Sequence, residues 1–143
     1  MSVGHVKVMH AEALDVGGGM DGVRDAGLLD SAVMAPQSGY LTSLAEMTAT
    51  YAHGIAKNHA FVDGNKRTAV YAMLAFLEVN GITLTLPEAA WEKIMQSVAS
   101  GATSRDDLGE LIAAEIGRRE DVAAPPLWVD LEEDDGDDPN VPA

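Results

Sequence analysis

Within nine residues, His59-Ala60-Phe61-Val62-Asp63-Gly64-Asn65-Lys66-Arg67, the chain gathers a base, an oxygen ligand and two cations. His59 carries an imidazole, a side chain able to accept a proton from an attacking hydroxyl. Asp63 offers hard oxygen, suited to Mg²⁺ that bridges phosphates. Lys66 and Arg67 add positive charge, and Arg grips two phosphate oxygens at once. Gly64 lets the backbone approach a ligand closely and adopt positive φ. Asn65 can cap a helix or orient a neighbour. A base, a metal ligand and a phosphate cradle are the parts that phosphoryl transfer uses.

The elements around this segment explain how it is held. Leu44, Met47, Tyr51, Ala52 and Ile55 recur at helical spacing behind the capping box Ser43-Leu44-Ala45-Glu46, which predicts a helix ending near Asn58. His59 to Gly64 is then a loop, with Phe61 turned inward to pin it. A second helix is expected from Asn65 to about Asn80, stopped by Gly81. It is apolar on nearly every face, from Ala69 and Val70 through Val79, which predicts a central buried helix. The N–H groups of its first turn lack helical partners and, with the dipole, favour an anion. Lys66 and Arg67 oppose that dipole, so an anion must complete the charge balance. Taken singly, each of these residues reads more readily as ordinary surface or loop; their combination carries the inference.

Further helices are expected near residues 5–16, ended by Gly17-Gly18-Gly19, and from an Asp25 cap through Leu28, Leu29, Ala32 and Val33 to a stop before Pro36. Thr85-Leu86-Pro87-Glu88 reads as another capping box, opening a helix that ends near Gly101. A last helix begins at Ser104-Arg105-Asp106-Asp107 and runs to about Gly117. Thr83 to Leu86 is at most a short extended piece. The predicted fold class is all-α, in a compact bundle around one buried helix.

The 143 residues suit one domain over 1–119, followed by a disordered acidic tail over 120–143. Nine of the 23 acids lie from Glu120 onward, where there is no Lys or Arg; residues 1–119 hold 14 acids and 9 bases. No basic face is available for direct nucleic-acid binding. Three of the nine bases, Lys57, Lys66 and Arg67, fall within eleven residues, as a local anion site requires. With no Cys there is neither a disulfide framework nor a thiolate metal site. The N-terminus lacks a signal-peptide pattern, and no apolar stretch is long enough to span a bilayer, so a soluble, cytoplasmic protein without membrane contact is expected. Gly17 to Gly22 formally matches G-x-G-x-x-G, but no strand precedes it, and it reads as a turn. His5, His10 and His53 lack a second ligand at metal spacing and read as structural. Trp91 and Met95 read as core, and Arg24-Asp25 as a loop tie. Charge complementarity allows the acidic tail to reach Lys57, Lys66 and Arg67, although a solvated tail is the simpler reading.

The stretch from His59 to Ala69 resembles the signature of the death-on-curing (Doc) toxins of the Fic superfamily. Residues Gly22 to Ala32 and Phe76 to Gly81 resemble Doc sequences too, so the likeness covers roughly residues 5–117. It implies a Fic/Doc helical domain in which His59 is the base, Asp63 holds Mg²⁺, and Gly64, Asn65, Lys66 and Arg67 hold the phosphates of ATP. Lys57, at a position where Doc toxins can be basic, would add a phosphate contact. Fic proteins with Gly at the position of Lys66 usually transfer AMP. Doc toxins carry Lys there, which implies reversed ATP binding and transfer of the γ-phosphate to a Ser/Thr hydroxyl. The implied target is elongation factor Tu, with arrest of translation, and the implied partner is an antitoxin whose C-terminal segment folds onto the toxin. Gly64 stands where some Doc toxins have Ala, and Ala60 where the AMP-transferring branch commonly has Pro. Protein adenylyl transfer on the same fold, and a catalytically silent binding module, are the two alternatives.

Overall fold

The structure, a computed structural model, describes residues 1–37 and 43–123, with side chains through residue 117. Among them are six α-helices and no β-strand beyond a single isolated bridge. No helix among the described residues is long and apolar enough to cross a membrane. Contacts divide the chain into Met1–Ala113 and Ala114–Ala143; the site and its framework belong to the first unit.

Helix α1, Val3–Gly17, starts from Ser2, whose hydroxyl accepts from the His5 N–H at 3.2 Å while Ser2 N donates back to His5 Nδ1. Helix α2, Ala26–Met34, is capped by Asp25, which accepts from Leu28 N at 3.0 Å, and gives way to a short 3₁₀ turn containing Pro36. Helix α3, Leu44–Asn58, has the expected Ser43/Glu46 capping box. It buries Ala45, Ala49, Ala52 and Ala56, small residues that admit close neighbours. Its Gly54 is pressed against α2, where an added Cβ would stand 3.0 Å from Ala32 Cβ.

Helix α4, Asn65–Val79, packs on α3, α1 and α5 and supplies the centre of the core: Ala69, Val70, Ala72, Met73 and Leu77 are fully buried. The expectation of burial on every face needs correction at its far end. Leu74, Ala75 and Phe76 are only half-buried, and Val79 is 82% exposed. Helix α5, Glu88–Ser100, starts without the expected Thr85 cap: Pro87 occupies the cap position and no side chain bonds there. Its fixed φ suits a helix start, and Glu88 complements the dipole. Trp91 and Met95 are core, as their spacing predicts. Helix α6, Arg105–Ala123, runs past the expected end near Gly117 and includes residues 120–123, assigned above to the tail. An isolated Gly raises the cost of a helix without ending it. The rest of the acidic run, from residue 124, lies outside the described residues.

Candidate active site

The loop between α3 and α4 is fixed from three sides. His59 closes α3 in the left-handed region, φ 51° and ψ 47°, and among the described residues it alone does so without being glycine. A strap at residues 22–25 fastens this turn. Arg24 Nε donates to the His59 carbonyl at 2.7 Å and Nη2 to that of Asn58 at 3.1 Å. Ala60 O accepts from Arg24 N and Asp25 N, and Val62 N donates to Gly22 O. The expected loop tie is therefore present, and it leaves the His59 side chain exposed to solvent.

Phe61 is buried, as expected, and lies flat against the His10 ring, with centroids 3.8 Å apart and planes 8° apart. His10, also buried, bonds through Nε2 to the Asp63 carbonyl at 2.7 Å. A carbonyl only accepts, so Nε2 carries the hydrogen. Asn65 takes a role that the sequence left open. Its Oδ1 accepts from Phe61 N at 3.0 Å and its Nδ2 donates to Phe61 O at 2.9 Å, which locks the loop to the first turn of α4. The cap position itself belongs to Gly64, at φ 80°. The left-handed backbone favours glycine; a Cβ on Gly64 would meet Leu14 at 3.2 Å, tight enough that the leucine side chain would shift, and the His10 ring at an ordinary 3.6 Å.

Beside the loop lies a cavity of about 400 Å³. It is lined by the start of α4, from Asp63 through Arg67, by Gly17-Gly18-Gly19, and by Glu92 and Gln96 of α5. Asp63 Oδ2 accepts from Met20 N at 2.8 Å, which aims an exposed carboxylate. Lys66 is exposed, and Arg67 is paired with Glu92. The cavity therefore joins exposed Lys66, Arg67 in its pair with Glu92, and the first turn of α4, whose N–H groups suit phosphate. A larger groove, about 610 Å³, runs between α1 and α4, but Glu12, Asp15, Glu78 and Glu88 line it with no cation, so it repels a polyphosphate.

Asp63, Gly64, Asn65, Lys66 and Arg67 thus share one cavity, while His59 stands exposed earlier on the same loop. Lys57 is placed apart: its ammonium lies 3.1 Å from where a Gly101 Cβ would be, at the C-terminal end of α5, and the cavity wall does not include it. Among the described residues no group of three His, Cys, Asp or Glu side chains could hold a metal. Asp63 alone suits an ion that takes most of its ligands from phosphate and water, as Mg²⁺ does. Sequence reasoning missed the cavity roles of the glycine turn and Glu92, and the part His10 plays in holding the loop.

The family model of the Fic/DOC family matches residues 1–77. This chain belongs to that family. It is 39% identical over 116 residues to "Toxin Doc" of Mycolicibacterium smegmatis, covering 76% of this chain and 85% of the relative. It is 35% identical over 95 residues to "Protein kinase doc" of Escherichia phage P1, covering 57% of this chain and 75% of that protein. The matched span, residues 1–77, includes the loop that the fold fastens at His10, Arg24 and Asn65.

Proposed function

We propose that this Fic/DOC protein is a Doc-type toxin that transfers the γ-phosphate of ATP to a Ser/Thr hydroxyl of a target protein, with elongation factor Tu as the first target to test. The observation that carries this reading is the cavity that Lys66 and Arg67 line together with Asp63 and the Gly17-Gly18-Gly19 turn. At Gly18 nothing lies within 4 Å of where a Cβ would stand, and Lys66 with the α4 N-terminus would offset the charge of a polyphosphate. His59 is exposed, so the hydroxyl of a folded protein can reach its imidazole. In the reaction, the target oxygen bonds to the γ-phosphorus and the bond to the β–γ bridging oxygen breaks. The hydroxyl proton goes to His59, and ADP leaves. Mg²⁺ held at Asp63 would neutralise charge on the phosphates. Lys66, where adenylyl-transferring relatives have Gly, favours γ-phosphate over AMP transfer. The name "Toxin Doc" supports the toxin reading, and with it an antitoxin partner; the name "Protein kinase doc" supports phosphoryl transfer; a cytoplasmic site of action belongs to the same proposal.

Intact-mass spectrometry of elongation factor Tu, incubated with the purified chain, ATP and Mg²⁺, tests the proposal. A gain of about 80 Da is a phosphate and supports it; a gain of about 329 Da is AMP and replaces it with adenylyl transfer. An unchanged mass, in the target and in a lysate fraction supplied with labelled ATP, favours a silent binding module.

A further inference from the structure

Arg67 is placed by residues of two other helices. Its Nη2 donates to Glu92 Oε1 on α5 at 3.2 Å, both side chains being a little over a quarter exposed. On another side its guanidinium lies against Gly17, at the end of α1. A Cβ there would stand 3.1 Å from Nε, 3.2 Å from Cζ and 3.4 Å from Nη2. These three near-equal distances put the face of the guanidinium over Gly17. The positive-φ residues do not include Gly17, so its backbone would accept another residue, but a Cβ there would oblige the Arg67 guanidinium to shift. An arginine has five N–H donors, and Glu92 engages one of them. The others remain on a side chain that lines the cavity.

We infer that Glu92 and Gly17 are positioning residues for nucleotide binding, holding the Arg67 guanidinium in a fixed orientation before the phosphates arrive. The inference rests on the ATP reading above. A free arginine loses rotamer freedom when a phosphate captures it, and that loss weakens binding. Here folding has already fixed the fork, so the bond to phosphate forms at lower entropic cost. Glu92 also brings a negative charge towards the cavity, which would oppose phosphate if it were unpaired; the bond to Arg67 offsets it. The opposite role, in which Glu92 competes with ATP for Arg67, makes the opposite prediction.

Two readouts on the purified full chain test this. The first is the Arg67 Nε–H signal in ¹H–¹⁵N NMR. It is expected to report a rigid side chain in the wild type, one mobilised in Glu92→Ala, and one still rigid in Glu92→Gln, whose amide oxygen still accepts from Nη2. The second is Mg·ATP affinity by calorimetry. It should fall about three- to ten-fold in Glu92→Ala, stay within about two-fold in Glu92→Gln, and not change further when Glu92→Ala is added to Arg67→Ala. Gly17→Ala should lower affinity by a similar factor while Tm holds or rises, because alanine favours the helix. An Arg67 signal equally mobile with and without Glu92, or tighter ATP binding in Glu92→Ala, overturns the inference. A mobile Arg67 in a chain that binds ATP sinks the positioning role alone. A rigid Arg67 in a chain that binds no ATP sinks the nucleotide reading, and the phosphate role of the clamp with it.

Discussion

Helices α1 and α4 meet at two ends that are built on opposite principles. At the loop end, His10 bonds to Asp63, Asn65 to Phe61 and Met20 to Asp63, and glycines stand wherever a Cβ would intrude. At the other end, Met1, His5, Met9, Ala75, Phe76 and Val79 surround an apolar cavity of about 330 Å³, and Val79 is largely in solvent. The same pair of helices thus carries a directional, hydrogen-bonded end and a non-directional, apolar one. Hydrogen bonds fix atoms to tenths of an ångström and fail when one partner is lost, whereas apolar contact tolerates rearrangement. Chemistry that needs fixed geometry belongs at the first end.

Substitutions should therefore divide sharply between the two ends. The largest effect is expected for His59→Ala: loss of about 10²–10⁴-fold in phosphate transfer, with ATP affinity and Tm retained because the side chain is exposed. Radiolabel transfer and calorimetry check this together, and lost ATP binding would count against a base role. Gly64→Ala comes next. Left-handed backbone and the Leu14 and His10 contacts should cost about 1–3 kcal/mol in denaturant unfolding, with transfer falling in parallel. Asn65→Ala leaves the buried Phe61 N–H and C=O unpaired and should cost about 1–3 kcal/mol by the same measurement. At the far end, Val79→Lys should stay within about 0.5 kcal/mol and leave transfer unchanged. A large loss there would erase the contrast between the ends.

The smallest effect is a pH dependence on α3, away from both. Burial holds the His53 imidazole below its ordinary value near 6.5, and Lys57 and Arg105 push it the same way. The folded chain therefore binds this proton less readily than the unfolded one. The stability tied to neutral His53 is fully present above the ordinary value and declines as pH falls through 6.5 towards the lower folded value. Thermal unfolding of His53→Gln should show a shallower decline over that interval than the wild type; identical slopes would remove this contribution.

By itself the sequence determined the all-α class, the Ser43 and Asp25 caps, the inward Phe61 and the loop's inventory of base, carboxylate and cations. Periodicity, capping and residue chemistry act over a few neighbours, so one strand of letters displays them. The same locality explains the misreadings. Thr85 formed a capping pattern, yet the helix started at the proline-fixed backbone two residues later. Gly117 suggested a stop, but one glycine does not end a helix. Only the tertiary structure decided that His10 supports Asp63 from 53 residues away, that Met20 aims its carboxylate from 43 away, and that Glu92 pairs with Arg67 across 25. It likewise sent Lys57 to the end of α5 and made a glycine turn into a cavity wall. Such pairings depend on how helices pack, and helix spacing along one chain carries no record of which distant side chain a bond will meet.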